Sequence, residues 1–348
     1  MVLTEVVCSN CGSLRENGEI TCNACGSPFI IRVNFEYREK LIENFPYISR
    51  YLVGLNSDSP VENVGETLIK SVFYTPTLSY KDIGMNNLFS YLVGKKVVEK
   101  GDHVSEDSSG NAGASFALFC KMASLNSEVF VSKTANPVKI NQIRSYGARI
   151  HTVEGSREEV EIMARNSGFL YLGHQYWPEF YDGFRNISYG IFQNMRNLPS
   201  RIYIPFSTGT LYLGIYMGFK HLLDSGRIME IPRLIAVQPK KACGMYNLIK
   251  GTNYLRENSI ADALTGVIPL RSRLLREVIS NHGDVVIVEE GDIIKARNDL
   301  LHSGIDTEYS SAIAFSAAKY DKPDQEKLVI LTGHGIKNNF TSSQASAL

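Results

Sequence analysis

The sequence predicts an α/β protein in which two lobes of parallel, twisted sheets are flanked by helices, with a small metal-binding segment ahead of them. Short apolar segments alternate with helical patterns from about residue 72 to 332, which is typical of parallel sheets covered by helices. The length of 348 residues exceeds the roughly 250–300 residues at which single cores stop growing. Four of the six cysteines form two CxxC pairs near the N-terminus.

The two CxxC pairs predict a zinc ribbon over residues 1–30. Cys8-Ser-Asn-Cys11 and Cys22-Asn-Ala-Cys25 are each followed by glycine and are separated by ten residues. Together they supply four thiolates for a tetrahedral Zn²⁺, and because no coordination position stays open, the metal is expected to be structural. A redox-active pair and disulfides are the alternatives, and disulfides are rare inside cells.

After a lead-in over residues 31–60 that wraps the main body, strands and helices alternate. The predicted strands are Val72–Thr75, His103–Glu106, Glu128–Ser132, Arg149–Val153, Ile202–Phe206, Leu234–Val237, Asp284–Val288 and Leu328–Thr332. The helices that follow the first seven are predicted over 80–95, 112–124, 137–146, 157–166, 210–224, 243–249 and 291–302. Ligands of such sheets bind beyond the carboxyl ends of the strands. The small, polar tail over 341–348 is predicted to fray.

Composition and charge narrow the function classes. Lys+Arg and Asp+Glu both number 36, so the formal net charge is zero, and neither nucleic acid nor a membrane surface is an expected partner. Residues 1–7 do not resemble a signal peptide and no apolar run reaches about 20 residues. Cys120 and Cys243 stand alone in apolar stretches and are expected to be buried and reduced. These features predict a cytoplasmic protein.

Four polar segments fall in turns after predicted strands. Lys81 lies near a helix start, where the positive helix end and burial would lower the pKa of its amine and suit a covalent nucleophile; taken alone, it reads as a solvated surface lysine. Ser108-Ser-Gly-Asn-Ala-Gly113 precedes an apolar helix and could bind a carboxylate through backbone N–H groups or simply cap the helix. Ser207-Thr-Gly-Thr210 could hold a phosphate in the same way, a weak signal by itself. Thr332-Gly-His-Gly335 ends the series.

In order and spacing, from about residue 60 to 340, these four segments resemble the fold type II family of pyridoxal 5'-phosphate (PLP) enzymes. Ser108-Ser-Gly-Asn-Ala-Gly113 is the strongest match. Within the family the sequence is most similar to the threonine synthase branch, through the N-terminal zinc ribbon, Gly65-Glu-Thr67 and the ending Leu331-Thr-Gly-His-Gly-Ile-Lys337. The resemblance implies a large PLP-binding lobe (31–87 and 196–340), a small mobile lobe (88–195) and a homodimer.

The resemblance also implies roles for single residues. Lys81 would hold PLP covalently and then move protons, Asn111 would bond the 3'-oxygen of PLP, and Thr332 would face the pyridine nitrogen. The α-carboxylate of a small amino-acid substrate would be held by Ser108, Ser109, Ala112 and Gly113. The phosphate of PLP would be held by Ser207, Thr208, Gly209, Thr210 and Leu211.

The implied reaction converts O-phosphohomoserine and water to threonine and phosphate, by α- and β-deprotonation, γ-elimination and addition of water at Cβ. Three positions depart from the family pattern: Ile83 replaces an arginine, Ser207-Thr208 replaces Gly-Asn, and Phe180 stands near the arginine that clamps the substrate phosphate. Arg185 or Lys139 could replace that clamp; otherwise both are solvated helix charges. A PLP-dependent β-replacement synthase (cysteate or cysteine type) or a serine/threonine dehydratase is therefore the alternative.

For two further side chains near Phe180, Trp177 and His174, the sequence leaves two roles possible. Packing is the expected role of Trp177, with substrate contact as the alternative. His174 is expected to be satisfied structurally, with a place in the substrate pocket as the alternative.

Overall fold

The computed structural model describes residues 2–16, 18–54, 59–135, 137–321 and 326–337, so the predicted frayed tail lies outside the described residues. The strands are β1 Thr4–Cys8, β2 Phe29–Val33, β3 Val61–Val64, β4 Thr67–Ser71, β5 His103–Glu106, β6 Asn126–Ser132, β7 Arg149–Val153, β8 Leu170–Tyr171, β9 Arg201–Pro205, β10 Arg233–Pro239, β11 Gly283–Val288 and β12 Lys327–Leu331. They form three sheets, in the orders β1-β2, β11-β10-β9-β12-β4-β3 and β7-β6-β5-β8.

The α-helices cover the two larger sheets. They are α1 Lys81–Gly94, α2 Asn111–Met122, α3 Pro137–Ser145, α4 Arg157–Arg165, α5 Pro178–Asp182, α6 Arg185–Asn194, α7 Thr210–Asp224, α8 Gly244–Lys250, α9 Ser272–His282, α10 Glu290–His302 and α11 Tyr309–Lys319. Single 3₁₀ turns lie at Leu41–Asn44, Lys240–Ala242 and Gly335–Lys337. Within the described part of the chain, no helix is long and apolar enough to cross a membrane.

The six-stranded sheet is parallel except at one edge, where β3 pairs antiparallel with β4. Its central strand β12 lies between β9 and β4, from Lys327↔Thr67 to Leu331↔Ser71 on one side. Since parallel strands end at the same edge, the turns after β4, β9 and β12 lie beside one another. The four-stranded sheet is parallel throughout, with β5 between β6 and β8. The predicted α/β fold of parallel sheets and helices is confirmed.

One predicted strand is wrong: the sequence pattern placed it at Val72–Thr75, but β4 covers Thr67–Ser71. The pairing of β4 with β12 ends with the hydrogen bond from the Val72 N–H to the Leu331 carbonyl, at 2.9 Å. The chain then turns, with the Thr75 N–H bonded to the Phe73 carbonyl. Val72 and Phe73 are apolar because they enter two different buried clusters after the strand has ended.

The lead-in joins the core rather than lying on the surface. Tyr37, Phe45, Ile48 and Tyr51 are buried in the largest apolar cluster, and the Tyr51 hydroxyl donates to Asn87 Oδ1 of α1 at 3.0 Å. The antiparallel strands β1 and β2 pair from Thr4↔Val33 to Cys8↔Phe29. This small sheet therefore continues three residues beyond the predicted end of the ribbon at residue 30.

Candidate active site

Lys81 is the first residue of α1 and lies at the carboxyl edge of the six-stranded sheet. Its Nζ is 4.8 Å from the centre of the Tyr80 ring and 5.7 Å from that of Phe180. The Phe180 ring packs directly on Gly84, where an added Cβ would lie 2.6 Å from the ring. A glycine one turn after the lysine therefore lets an aromatic wall close against the amine.

The turn that carries Lys81 is held by the neighbouring Asp82. This buried carboxylate accepts hydrogen bonds from the Thr77 N–H at 2.6 Å, the Thr77 hydroxyl at 2.8 Å and the Ser115 hydroxyl of α2 at 2.5 Å. On the other side, the Tyr80 N–H donates to the Thr332 carbonyl at 3.0 Å. Thr332 follows β12 and is buried, so the structure brings two predicted site residues, Lys81 and Thr332, to the same place.

The turn Ser108–Gly113 leads from β5 into α2. An added Cβ on Gly113 would lie 1.9 Å from the Ser108 carbonyl oxygen, so only glycine allows this tight turn. The first N–H groups of α2 lack carbonyl partners one helical turn back, which makes such a helix start suited to a carboxylate. Asn111 donates through Nδ2 to both carboxylate oxygens of Glu308, at 3.0 and 3.1 Å, and so connects this turn to α11.

The loop after β9 has the geometry of an anion cradle. Gly209 adopts φ +75° immediately before α7, a left-handed conformation that favours glycine. The hydroxyls of Thr208 and Thr210 are 3.3 Å apart, and the Ser207 hydroxyl accepts from the Thr265 N–H at 3.3 Å. Hydroxyl donors at a helix start suit a phosphate. Because β9 pairs with β12, this loop emerges beside Thr332, and the donors and the lysine fit PLP.

A buried acid–imidazole pair, Glu106 and His174, lies behind the turn Ser108–Gly113. Glu106 ends β5, and one of its oxygens lies 2.8 Å from His174 Nδ1 while the other accepts the Ser108 N–H. Burial raises the pKa of Glu106 to about 7, against the opposing charges of Arg157 and Lys81. Burial and the charge of Lys81 lower the pKa of His174. The His174 ring packs edge-on against Phe180, with the ring centres 5.3 Å apart.

Asp107 anchors the same turn from the opposite side of β5. The Tyr171 hydroxyl donates to Asp107 Oδ1 at 2.7 Å, and Arg157 of α4 donates to its Oδ2 and carbonyl at 2.8 and 2.9 Å. Burial raises the pKa of Asp107, assisted by the charge of Glu106. Two adjacent buried acids thus fix the start of the turn, Glu106 through Ser108 and His174, and Asp107 through Tyr171 and Arg157.

Arg185 cannot replace the phosphate clamp, and it is not a surface charge either; both interpretations from the sequence are wrong. Its side chain is fully buried and donates to Asp182 at 2.6 and 2.7 Å, to the Tyr189 hydroxyl at 2.6 Å and to the Asn44 carbonyl at 3.0 Å. These bonds hold α6 to the lead-in.

The other candidate for the clamp, Lys139, pairs with the Asp262 carboxylate.

The four cysteines converge as the spacing predicts. All four sulfurs lie within 4.8 Å of one another, with Cys8–Cys25 and Cys11–Cys22 separations of 3.4 and 3.6 Å. A tetrahedral Zn²⁺ with bonds of about 2.3 Å separates its sulfurs by about 3.8 Å. The donor set and spacing therefore fit a structural zinc ion.

The ribbon packs against the segment that carries Phe180. Arg15 pairs with the buried Glu179 of α5, with Nη1–Oε2 at 3.3 Å. Arg271 donates through Nε and Nη2 to the Phe29 carbonyl at 3.1 and 2.8 Å, and the Tyr181 hydroxyl donates to the same carbonyl at 3.2 Å. The Trp177 Nε1–H donates to the Tyr171 carbonyl at 3.0 Å, and its side chain is buried.

Sequence reasoning missed Glu106, Asp107 and Glu308. The first two immediately precede the recognised turn, and two consecutive acids where a predicted strand ends were the available signal, since buried acids need partners. Glu308 precedes an unpredicted helix far along the chain, so only folding brings it to Asn111.

The fold and the lysine-centred site define a PLP-dependent enzyme. The family model described as pyridoxal-phosphate dependent enzyme matches residues 52–333. The chain therefore belongs to that family.

Individual relatives carry out different reactions. Threonine synthase of Methanocaldococcus jannaschii is 25% identical over 304 residues, covering 81% of this chain and 73% of the relative. Serine racemase of Oryza sativa subsp. indica is 24% identical over 302 residues, covering 82% and 83%. A solved structure of processed threonine deaminase isoform 2 from Solanum lycopersicum superposes with a TM-score of 0.69 at 20% identity, covering 83% and 81%. The likeness to the solved structure concerns the fold.

Proposed function

We propose that the chain is a PLP-dependent lyase in which Lys81 moves the protons of a small amino-acid substrate. The observation that supports this most is the position of Lys81, at the carboxyl edge of the parallel sheet and tied through Tyr80 to Thr332. Two helix starts suited to anions, at Ser108–Gly113 and Ser207–Leu211, follow neighbouring parallel strands. One would hold the substrate carboxylate and the other the cofactor phosphate.

Bound PLP supplies an electron sink that delocalises the negative charge left at the substrate's α-carbon. Lys81 would hold the cofactor, then take the α-proton and return protons later. Ser108, Ser109, Ala112 and Gly113 would orient the α-carboxylate, and Thr332 would place a neutral hydroxyl at the ring nitrogen. Phe180 would exclude water from one side of the amine. Asp82 would keep the lysine turn in place.

Threonine synthase is the first candidate reaction. The Methanocaldococcus jannaschii relative carries that name, and the four-cysteine ribbon and the segment Leu331–Lys337 support the same branch. Lys81 would remove the α- and β-protons of O-phosphohomoserine before phosphate leaves Cγ and water adds at Cβ. A zinc ion in the ribbon, a homodimer and a cytoplasmic location complete this proposal.

A dehydratase or β-replacement synthase is the second candidate, and the surroundings of Arg185 favour it. With Arg185 locked to Asp182 and Phe180 buried at the place of the clamp, the substrate phosphate loses its expected anchor. A substrate whose leaving group departs from Cβ as water or another small group needs no such clamp.

A substrate panel on the purified enzyme with added PLP separates the candidates. Phosphate release from O-phosphohomoserine together with threonine formation supports the first, and keto-acid formation from serine or threonine supports the second. Racemised serine would instead match the racemase relative. An enzyme that gains no cofactor absorbance band, or keeps turnover after Lys81→Ala, would contradict both candidates.

A further inference from the structure

Glu106 occupies an unusual position for a carboxylate. It is 0% exposed at the end of β5, one turn away from the predicted carboxylate clasp. One oxygen accepts the N–H of Ser108, the first residue of that clasp, and the other contacts His174 Nδ1 at 2.8 Å. His174 also contacts Phe180 edge-on, so the Glu106–His174 pair lies against the aromatic ring that packs beside the Lys81 amine.

Charged and titratable groups face Glu106 from each packed element. Lys81 of α1 and Arg157 of α4 are the cations that favour its ionised form. Asp107, its neighbour, opposes that form because the two carboxylates repel each other. His174 follows β8, and Cys120 of α2 is a buried thiol whose pKa is raised by burial and by Glu106. The two cations favour ionisation of Glu106, whereas its burial and the charge of Asp107 oppose it, and together these effects bring its pKa to about 7.

We propose that Glu106 is a positioning residue that lets the turn Ser108–Gly113 bind the substrate's α-carboxylate only when its own carboxyl group carries a proton. The inference rests on the proposed function, because it assigns that turn to the substrate carboxylate. An ionised Glu106 places a negative charge directly behind N–H groups that must receive another negative charge. A protonated Glu106 keeps its hydrogen bond from the Ser108 N–H and removes the repulsion.

The proton can move without a change in the bonding pattern. In the protonated state the Glu106 O–H donates to Nδ1 of His174, whose proton then resides on Nε2. On ionisation, Glu106 passes its proton to Nδ1 while Nε2 releases one to solvent, so the pair loses one proton. Glu106 is then the acceptor of the Nδ1–H. Because burial raises the pKa of Glu106 to about 7, this exchange falls in the physiological pH range.

Glu106→Gln and Glu128→Gln form a matched pair of variants. A glutamine at 106 can accept the Ser108 N–H and donate to His174, and it cannot ionise. Glu128, on the adjacent strand β6, is also buried between imidazoles, with His103 Nδ1 at 2.7 Å and His151 Nε2 at 2.6 Å, but does not contact the turn. Its replacement therefore reports any general effect of removing a buried carboxylate from this sheet.

The experiment titrates the PLP-loaded enzyme with L-serine and with L-threonine between pH 6 and 8.5 and follows the cofactor absorption spectrum. In the wild type and in Glu128→Gln, the apparent Kd should rise about tenfold or more across this range, because a negative charge behind the turn repels the bound carboxylate even at an effective dielectric of about 20. In Glu106→Gln the Kd should stay low at pH 8.5. The same variant should change KM far more than kcat.

A Kd that rises equally in Glu106→Gln and in the wild type overturns the inference. The proposed function is not affected by that result, because the cofactor spectrum and the loss of turnover in Lys81→Ala test it separately. A cofactor spectrum that responds neither to these amino acids nor to O-phosphohomoserine overturns the proposed function and the inference together. If only O-phosphohomoserine changes the spectrum, the same pH titration is made with that substrate. Should Glu106→Gln fail to fold, His174→Gln serves instead. It removes the proton exchange, so the pH midpoint of the Kd profile must move, and an unchanged midpoint contradicts the inference.

Discussion

Glu106 and Glu128 lie on neighbouring strands of the same sheet, each buried and each bonded to histidine, yet their acidities shift in opposite directions. Burial dominates at Glu106 and raises its pKa to about 7. At Glu128, burial is outweighed by hydrogen bonds from His151 and His103 and by the charge of Arg149, so its pKa is lowered. The difference teaches that the balance between burial and the hydrogen bonds and charges around a carboxylate, rather than burial alone, sets the direction of its pKa shift.

The surroundings explain the two outcomes. His103 and His151 remain 41% and 34% exposed, and each stacks on a phenylalanine, Phe169 or Phe130. Water can reach both imidazoles, and each lies within hydrogen-bond distance of the Glu128 carboxylate. His174 is buried and close to Lys81, and it stays neutral beside Glu106. The Glu128 site is therefore suited to stabilising the sheet, and the Glu106 site to exchanging a proton.

The largest expected effect comes from Lys81→Ala, which removes a cation from the surroundings of Glu106 and leaves those of Glu128 unchanged. Turnover should fall by at least about 10²–10⁴-fold, because a positioned base contributes this much for each proton step. The covalent cofactor band should also disappear. Turnover assays and absorption spectra check both, and substantial residual activity would assign the chemistry to another base.

The next largest effect is expected for Arg15→Ala, which tests whether the ribbon stabilises α5, the helix that carries Phe180. The variant leaves the carboxylate of Glu179 buried without its partner, and the free energy of unfolding should fall by about 3–5 kcal/mol. The control Arg32→Ala breaks an exposed ion pair with Glu5 in the same ribbon and should cost less than about 1 kcal/mol. Urea unfolding measures both, and equal losses would mean that the ribbon does not brace α5.

Truncating each carboxylate compares the two sites directly. Glu106→Ala strands the buried Ser108 N–H and should destabilise the fold by about 1–3 kcal/mol. Glu128→Ala frees two half-exposed imidazoles that water can reach, and should cost about 1 kcal/mol or less. Urea unfolding at pH 7 ranks the two variants, and the reverse order would contradict the contrast in burial.

The smallest effect is the pH dependence of stability, which should have opposite signs at the two sites. The folded pKa of Glu106 lies above its unfolded value, so its contribution is present at low pH and is lost as pH rises through about 7. The folded pKa of Glu128 is depressed, so its contribution is present at neutral pH and is lost as pH falls through that pKa. Each slope is at most about 1.4 kcal/mol per pH unit.

Urea unfolding of Glu106→Gln and Glu128→Gln isolates these slopes. The first variant should flatten the decline above pH 5, and the second should flatten the decline at acid pH. Profiles of both variants that match the wild-type profile would show that the pKa of neither carboxylate is shifted by folding.

Local patterns made much of the fold predictable. The strands His103–Glu106 and Arg149–Val153 and the helix 210–224 coincide with the observed elements, because the alternation of strand-like and helix-like segments separated by turn residues is a local property of the sequence. The helix α11 escaped prediction since its residues are buried on nearly all sides, which erases apolar periodicity. The helix α5 has only five residues, too few to show any.

The sequence by itself determined the four thiols that converge, the glycines of the tight turns and the lysine that opens α1, since each depends on a short local segment, the longest being the 17 positions from Cys8 to Cys25. The tertiary structure alone decided which charged groups surround the residues of the candidate site. Glu106 meets His174 across 68 residues, Asn111 meets Glu308 across 197, and Arg185 is drawn into the core by the lead-in. Strand order and layer packing set such contacts, and a carboxylate's charge depends on every group that packing brings near it.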